Sequence, residues 1–121
     1  MILALLLALQ AAPAPAPADE VTVIGQRLEK DWSGRVRFTK SGTKCDIRKS
    51  TGDAEIDRIG CTAMERCFPQ YQARYQAAND RAVRPDVKKV MQAALNQELT
   101  ACVTSERKAG IAALAAKRRG G

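Results

Sequence analysis

The chain has 121 residues, of which 45% are apolar, 4% aromatic and 27% charged, and its formal net charge at pH 7 is +7. This length favours a single domain, and the apolar fraction suffices for a modest core. The sequence contains no histidine, which excludes mechanisms that use imidazole as a base or as a metal ligand. Composition therefore narrows the possible functions without indicating one activity.

Residues 1–18 carry no charged side chain and contain an apolar run, Ile2 to Leu9, followed by an alternating Ala-Pro segment. This arrangement is typical of a signal peptide, with a buried N-terminal helix as the alternative. A helix that crosses a hydrocarbon core of about 30 Å needs roughly 20 apolar residues, so we expect no transmembrane segment in the mature chain. We predict cleavage between Ala18 and Asp19, because no proline then follows the cut, and a periplasmic or secreted mature protein.

The sequence contains four cysteines, Cys45, Cys61, Cys67 and Cys102. In an oxidising compartment an even count in a chain of this length predicts two disulfides. Cys61 and Cys67 lie on different faces of one predicted helix, about 9 Å apart along its axis, which is beyond the reach of a disulfide. Two pairings therefore remain open. A zinc site is the competing interpretation, but the spacing lacks the close ligand pairs of zinc ribbons and fingers.

The first predicted element of the mature chain covers residues 19–33, which begin with β-branched residues and then become polar. We predict an N-terminal arm or edge strand there, followed by an α+β domain over residues 34–109. Apolar and polar residues alternate on both sides of Ser41 and Gly42, which favours a β-hairpin. One face of this hairpin is expected to be apolar and the other strongly basic.

Helices are predicted after the hairpin. Ser50 to Asp53 form a turn, and Asp53 is a suitable N-cap for a first helix. Phe68 and Pro69 are expected to end that helix, and residues 70–79 form a short second one.

The third predicted helix has the longest apolar stripe. Pro85 is suited to its first position, and apolar residues recur at helical spacing as far as Val103. We predict that residues 110–121 form a basic C-terminal tail with a frayed end, with continuation of the third helix past Gly110 through Ile111 and Leu114 as the alternative. The predicted fold class is therefore α+β: a small antiparallel β-hairpin or sheet packed on about three α-helices and stabilised by disulfides.

The run from Cys45 to Asp57, together with Cys61, resembles the strand-turn-helix of TonB C-terminal domains. In that family a strand is followed by Ser-Ser-Gly, an aliphatic-Asp pair and a helix. Some members also carry one cysteine in the strand and another in the helix at the same separation. The resemblance, which covers about residues 34–67, therefore implies a Cys45 to Cys61 bond and, by subtraction, a bond between the other two cysteines, Cys67 and Cys102.

TonB proteins also have a spanning N-terminal helix and, after this unit, further strands, whereas here the predicted continuation is helical. The resemblance thus implies a TonB-like β-β-α unit with a helical extension rather than an energy transducer. It further implies a protein-interaction module of the bacterial cell envelope, in which an exposed strand of the hairpin, or the segment from Val21 to Ile24, adds to the sheet of a partner protein.

Catalysis is not predicted. A nucleophile needs an activating base, and the sequence offers no imidazole for that role. Asp53 and Asp57 lie four residues apart and could act as an acid and base pair, but helix capping and solvation explain them more simply. We find no Gly-rich phosphate loop, metal-ligand cluster or nucleotide fingerprint, and therefore predict no catalytic residue, metal or cofactor.

An alternative function follows from the positive charge of the predicted hairpin. Its outer face is expected to carry five candidate anion-binding residues, Arg35, Arg37, Lys44, Arg48 and Lys49. Such a face attracts anions, which in a periplasm include lipid head groups and lipopolysaccharide. No aromatic residues interleave with these charges for base stacking, so no nucleic acid partner is expected. The competing interpretation is that the charges keep a small domain soluble.

Overall fold

The computed structural model describes residues 17–120. The elements in chain order are α1 (Pro17–Asp31), β1 (Ser33–Thr39), β2 (Gly42–Lys49), α2 (Ala54–Ala78) and α3 (Pro85–Gly120). The predicted α+β class is confirmed, with an antiparallel hairpin, helices and disulfide cross-links. The apolar run and most of the Ala-Pro segment of the predicted signal peptide lie outside the described residues. Within residues 17–120, no helix combines the length and the apolar character needed to span a membrane.

The hairpin follows the alternation of the sequence. Val36 of β1 lies opposite Cys45 of β2, and Arg35 lies opposite Asp46, so apolar and charged pairs occupy opposite faces. At the turn, Gly42 has a φ of 125°, a region that side chains beyond glycine rarely adopt. The apolar face of the hairpin packs on α2, and this places Cys45 next to the helix.

Two disulfides fasten the elements to one another. One joins Cys45 of β2 to Cys61 of α2, with Cα atoms 5.4 Å apart. The other joins Cys67 of α2 to Cys102 of α3, with Cα atoms 5.9 Å apart. This is the pairing that the TonB resemblance implies. The central helix α2 is therefore cross-linked to the hairpin through its first half and to α3 near its middle.

Helix α1 stands where the sequence predicts an arm or edge strand over residues 19–33. Ile24 and Leu28 lie four residues apart, so a helix places them on one face, and they are only 1% and 2% exposed. Their core neighbours are Trp32, Ile56, Leu114 and Ala115. Burial of this face outweighs the strand preference of the neighbouring β-branched residues, because helix stability in a protein comes mainly from packing.

Helix α2 continues through Pro69, where the sequence predicts the end of one helix and the start of another. A proline within a helix removes one main-chain hydrogen bond. Here the side-chain amide of Gln70 donates to the carbonyl oxygen of Arg66 at 2.9 Å. The neighbouring Cys67 is fully buried and bonded to α3. These two contacts hold the helix together across the proline, so the predicted break is wrong.

Helix α3 includes residues 110–120, which the sequence predicts as a basic tail. Leu114 and Ala115 are buried in the core that α1 and α2 share. Gly110 allows this close approach, because a Cβ atom there would lie 2.9 Å from Cγ2 of Ile59 on α2. The helix therefore continues past Gly110, as in the alternative that the sequence leaves open, and one core extends from α1 to the last turns of α3 rather than ending at residue 109.

Trp32 connects α1 to the hairpin and is 7% exposed. A Cβ atom at Gly34 or Gly60 would lie 2.5 or 2.6 Å from its indole ring, so a side chain at either position would displace the ring. The guanidinium of Arg107 on α3 covers the ring at 5.4 Å from its centroid. Trp32 thus sets the position of the base of the hairpin relative to all the helices.

Candidate interaction surface

The N-terminus of α2 is held by Asp53, as predicted for an N-cap. Its Oδ1 accepts hydrogen bonds from the main-chain N–H groups of Glu55 at 3.0 Å and Ile56 at 3.3 Å. Its other carboxylate oxygen accepts from Arg118 of α3 at 2.6 Å, and Arg27 of α1 lies 3.7 Å away. Chiefly because of the bond from Arg118, the pKa of Asp53 lies below its ordinary value.

Asp57 is a buried carboxylate that ties the preceding turn to α2. It accepts hydrogen bonds from Ser50 Oγ, from the N–H of Thr51 at 2.9 Å and from Thr51 Oγ1 at 2.8 Å. Burial opposes its ionisation, but these bonds outweigh burial, and the pKa of Asp57 is lowered. Asp53 and Asp57 therefore bond to different groups, and both serve the turn and the start of the helix.

Basic residues near the end of α3 also bond to groups at the start of α2. Lys117 donates to Glu55 at 2.6 Å, and this bond is the main reason that the pKa of Glu55 is lowered. Arg27 donates to the carbonyl oxygen of Thr51 at 2.6 Å. We refer to the group of residues around the start of α2 as the α2 clasp: Arg27, Thr51, Asp53, Glu55, Asp57, Lys117 and Arg118. Its charges are matched within the protein, so they are not an open anion site.

The outer face of the hairpin is less basic than the sequence alone suggests. Arg37 forms a bidentate pair with Asp46 across the strands, which raises the pKa of Arg37 and lowers that of Asp46. Lys49 lies beyond an irregular step in the strand register, and its ammonium group donates to the carbonyl oxygen of Lys30 at 3.4 Å. Two of the five candidate anion-binding residues thus have partners within the protein.

The other three candidates, Arg35, Lys44 and Arg48, are exposed. None of them forms a salt bridge within residues 17–120. The hairpin therefore carries an excess of positive charge, because Asp46 is the one acidic residue of β1 and β2.

Both strands of the hairpin have an open edge, because the sheet described for residues 17–120 consists of β1 and β2 alone. Large apolar side chains remain uncovered on the helix-facing side of each strand: Phe38 of β1 is 51% exposed and Ile47 of β2 is 48% exposed. Unpaired N–H and C=O groups beside exposed apolar side chains are a template for pairing with another strand.

A trough lies between α2 and α3 on one side of the hairpin. It consists of a cavity of about 660 Å³ and a neighbouring one of about 290 Å³, both lined by Phe68 and Leu99. Phe38 of β1 lines the larger cavity, and Arg107, which covers Trp32 at the start of β1, lines the smaller one. Of the two strands, β1 contributes a residue to the lining of this trough, which we call the α2/α3 trough, and β2 contributes none.

The larger cavity of the trough has an uncharged lining. It is built from aromatic and carboxamide side chains together with Leu99, and the hydroxyl of Tyr75 is hydrogen-bonded to Asn96. Sequence reasoning missed this feature, because it placed a helix end at Phe68. The available signal was the helical spacing of apolar residues, which includes Leu99. This spacing does not distinguish a residue in the core from one in the wall of an open trough.

No protein-family model, curated protein or solved structure matches this chain. In the part of the chain that the structure describes, no group of three or more Cys, Asp and Glu side chains is placed to hold a metal ion. All four cysteines are in disulfides.

Proposed function

We propose that this protein is an exported, disulfide-bonded interaction module of the bacterial cell envelope, without catalytic activity, that binds a partner protein by strand addition. The observation that carries the proposal is that the sheet described for residues 17–120 has two strands, each with an open edge, and that Phe38 and Ile47 on these strands are exposed. Main-chain hydrogen bonds at an open edge give affinity, and alternate side chains give specificity. The resemblance of residues 34–67 to TonB domains supports the same mode of binding.

Export is supported by the disulfides, since such bonds persist in oxidising compartments and are rare in the cytosol. The test is the intact mass of the protein recovered from its producing cell, followed by a non-reducing peptide map. A chain that begins at Asp19, carries both disulfides and joins Cys45 to Cys61 is the expected result. An uncleaved chain with free thiols would refute the export proposal.

Strand addition is tested with proline variants of β1. Successive N–H groups of a strand point alternately to its partner strand and to its open edge. Of Arg37→Pro and Phe38→Pro, one therefore removes an outward N–H and the other an inward one. Non-reducing maps and circular dichroism identify the variant that keeps the fold.

The folded proline variant is then compared with the oxidised wild type in pull-downs from envelope extracts. We expect envelope proteins retained by the wild type to be lost from the variant. Equal retention by both, or no envelope protein above background with either, would remove strand addition at β1.

A second candidate function is binding to anionic envelope surfaces such as lipid head groups or lipopolysaccharide. The supporting observation is that Arg35, Lys44 and Arg48 are exposed and form no salt bridge within the described residues. Binding to vesicles of anionic lipid should weaken steeply with salt and with Arg35→Ser combined with Arg48→Ser. Absent or salt-insensitive binding would exclude this candidate.

A further inference from the structure

We propose that the partner strand adds to β1 and not to β2, that it lies over the α2/α3 trough, and that its side chains alternate between apolar and acidic. This inference rests on the strand addition proposed above and specifies its location and its partner. The partner is a protein segment with apolar residues on one face of the strand and carboxylates on the other.

The location follows from what borders each strand. A third strand would lie about 4.8 Å beyond β1. Phe38 of β1 lines the larger of the two cavities of the trough, and Phe68 and Leu99 of the helices line both. No residue of β2, by contrast, lines either cavity. An added strand at β1 therefore covers apolar surface of two helices as well as completing a sheet edge.

The apolar face of the partner follows from the lining of the trough. Side chains that point toward the helices meet Phe68, Leu99 and Val103, which remain partly exposed. The Cys67 to Cys102 bond joins α2 and α3 beside these residues. The floor of the trough is thus already in place before a partner arrives, which reduces the entropy lost on binding.

The acidic face follows from the charges of β1. Side chains of an added strand that point away from the helices lie beside Arg35 and Arg37, which share the outer face. Arg37 already pairs with Asp46, whereas Arg35 forms no salt bridge within residues 17–120. Opposite charges on neighbouring strands are favourable and like charges are unfavourable. A partner strand with basic residues on its outward face would therefore bind weakly, and one with acidic residues there would bind more tightly.

The test uses short labelled peptides and the oxidised protein, with binding measured by fluorescence anisotropy. The peptides alternate valine with glutamate, with glutamine or with lysine. We expect the glutamate peptide to bind about fivefold more tightly than the glutamine peptide at low salt, the lysine peptide to bind most weakly, and the differences to shrink as salt is added. Arg35→Gln should remove most of the advantage of the glutamate peptide.

The choice of edge is tested with a matched pair of variants. Phe38 and Ile47 are both half exposed, on β1 and β2 respectively, so Phe38→Ser and Ile47→Ser disturb the fold to a similar, small degree. We expect the first to weaken peptide binding and the second to leave it unchanged. The reverse result would place the partner on β2 and overturn the inference about location.

The outcomes separate this inference from the proposed function. Equal binding of the glutamate and glutamine peptides, with sensitivity to Phe38→Ser, would overturn the acidic partner and leave strand addition at β1 standing. Failure of all three peptides to bind the oxidised protein, while envelope proteins are still retained in the pull-down, would overturn the partner chemistry. If no peptide binds and no envelope protein is retained in the pull-down, the proposal of strand addition itself is overturned.

Discussion

The two ends of helix α2 differ in whether their surface groups have partners within the protein. At the start of α2, the clasp joins helices α1, α2 and α3 through charged hydrogen bonds between Asp53, Arg118 and their neighbours. In the second half, Phe68 lines a trough whose rim includes half-exposed Phe38. In the first region the charged groups are paired within the chain, whereas the second exposes apolar side chains beside an open strand edge.

This difference separates the residues that make the fold from those that are available for a partner. Groups whose hydrogen bonds and charges are matched internally gain little from another molecule. Exposed apolar surface next to unpaired main-chain groups gains from being covered. Substitutions in the clasp and its adjoining core should therefore alter stability, and substitutions along the trough should alter binding.

The largest effect is expected for Trp32→Ala. Removing a buried aromatic side chain typically destabilises a protein by about 3–5 kcal/mol, and this ring contacts the hairpin, α2 and α3. The matched change Phe38→Ala removes a half-exposed ring and should cost under about 1 kcal/mol. Urea unfolding of both variants measures the difference. Similar losses would mean that the trough side of the molecule is part of the core.

Replacing both Cys67 and Cys102 by serine should have the next largest effect. A loop of this size closed by a disulfide contributes about 3–4 kcal/mol to stability. Because this bond joins α2 and α3 beside the trough, the variant should also bind the glutamate peptide more weakly even where it remains folded. Unfolding in urea and anisotropy measure the two effects. Unchanged peptide affinity in the folded variant would show that the trough does not depend on this cross-link.

Asp57→Asn tests the clasp region. The change removes the charge that accepts bonds from Ser50 and Thr51 and should cost about 1–3 kcal/mol. Asp46→Asn, which affects an exposed pair on the hairpin, should change stability little. The free energy of unfolding is measured in urea at neutral pH. Equal losses of stability in the two variants would contradict the contrast between the clasp and the exposed surface of the hairpin.

The same carboxylates give a pH dependence of known sign. The pKa values of Asp53 and Asp57 are lowered in the folded protein, so the unfolded chain takes up their protons first as the pH falls. Their contribution to stability is therefore complete above about pH 5 and is lost as the pH falls through the ordinary and then the lowered, folded pKa values. Acid unfolding of the wild type should be steeper than that of Asp57→Asn, whereas identical profiles would mean that Asp57 does not contribute.

The smallest effect is expected for Gly60→Ala. A Cβ atom at this position would lie 2.6 Å from the Trp32 ring, whereas one at Gly120 meets nothing within 4 Å. Overpacking costs about 1–3 kcal/mol, which the better helix propensity of alanine offsets by about 1 kcal/mol. Thermal unfolding should show a lower midpoint for Gly60→Ala and no loss for Gly120→Ala. A gain at both positions would mean that Trp32 moves aside freely.

The sequence predicts those parts of the structure that depend on local signals. Alternation about Gly42 predicts the hairpin, and Asp53 before an apolar helical stripe predicts the start of α2, because strand periodicity and N-caps act over a few residues. Prediction fails where a contact between residues far apart in the sequence decides the local structure. Ile24 becomes helical because α3 buries it, and Pro69 is accommodated because neighbouring contacts hold the helix across it.

The candidate surface was only partly predictable for the same reason. The basic residues of the hairpin follow from alternation, but the pairing of Arg37 with Asp46 depends on the register of the strands. The trough depends on how far α2 and α3 separate beside Phe68, which no pattern within one helix contains. Long-range geometry, rather than residue type, decides which side chains remain available.

Hydrogen exchange of the main-chain N–H groups of the hairpin tests the central claim most directly. The oxidised protein is measured alone and with the glutamate peptide. Strand addition at β1 predicts that alternate residues of β1 become protected on binding, that the outward groups of β2 keep their exchange rates, and that the clasp around Asp57 is unchanged. Protection confined to β2, or peptide binding without protection of either strand, would contradict the account.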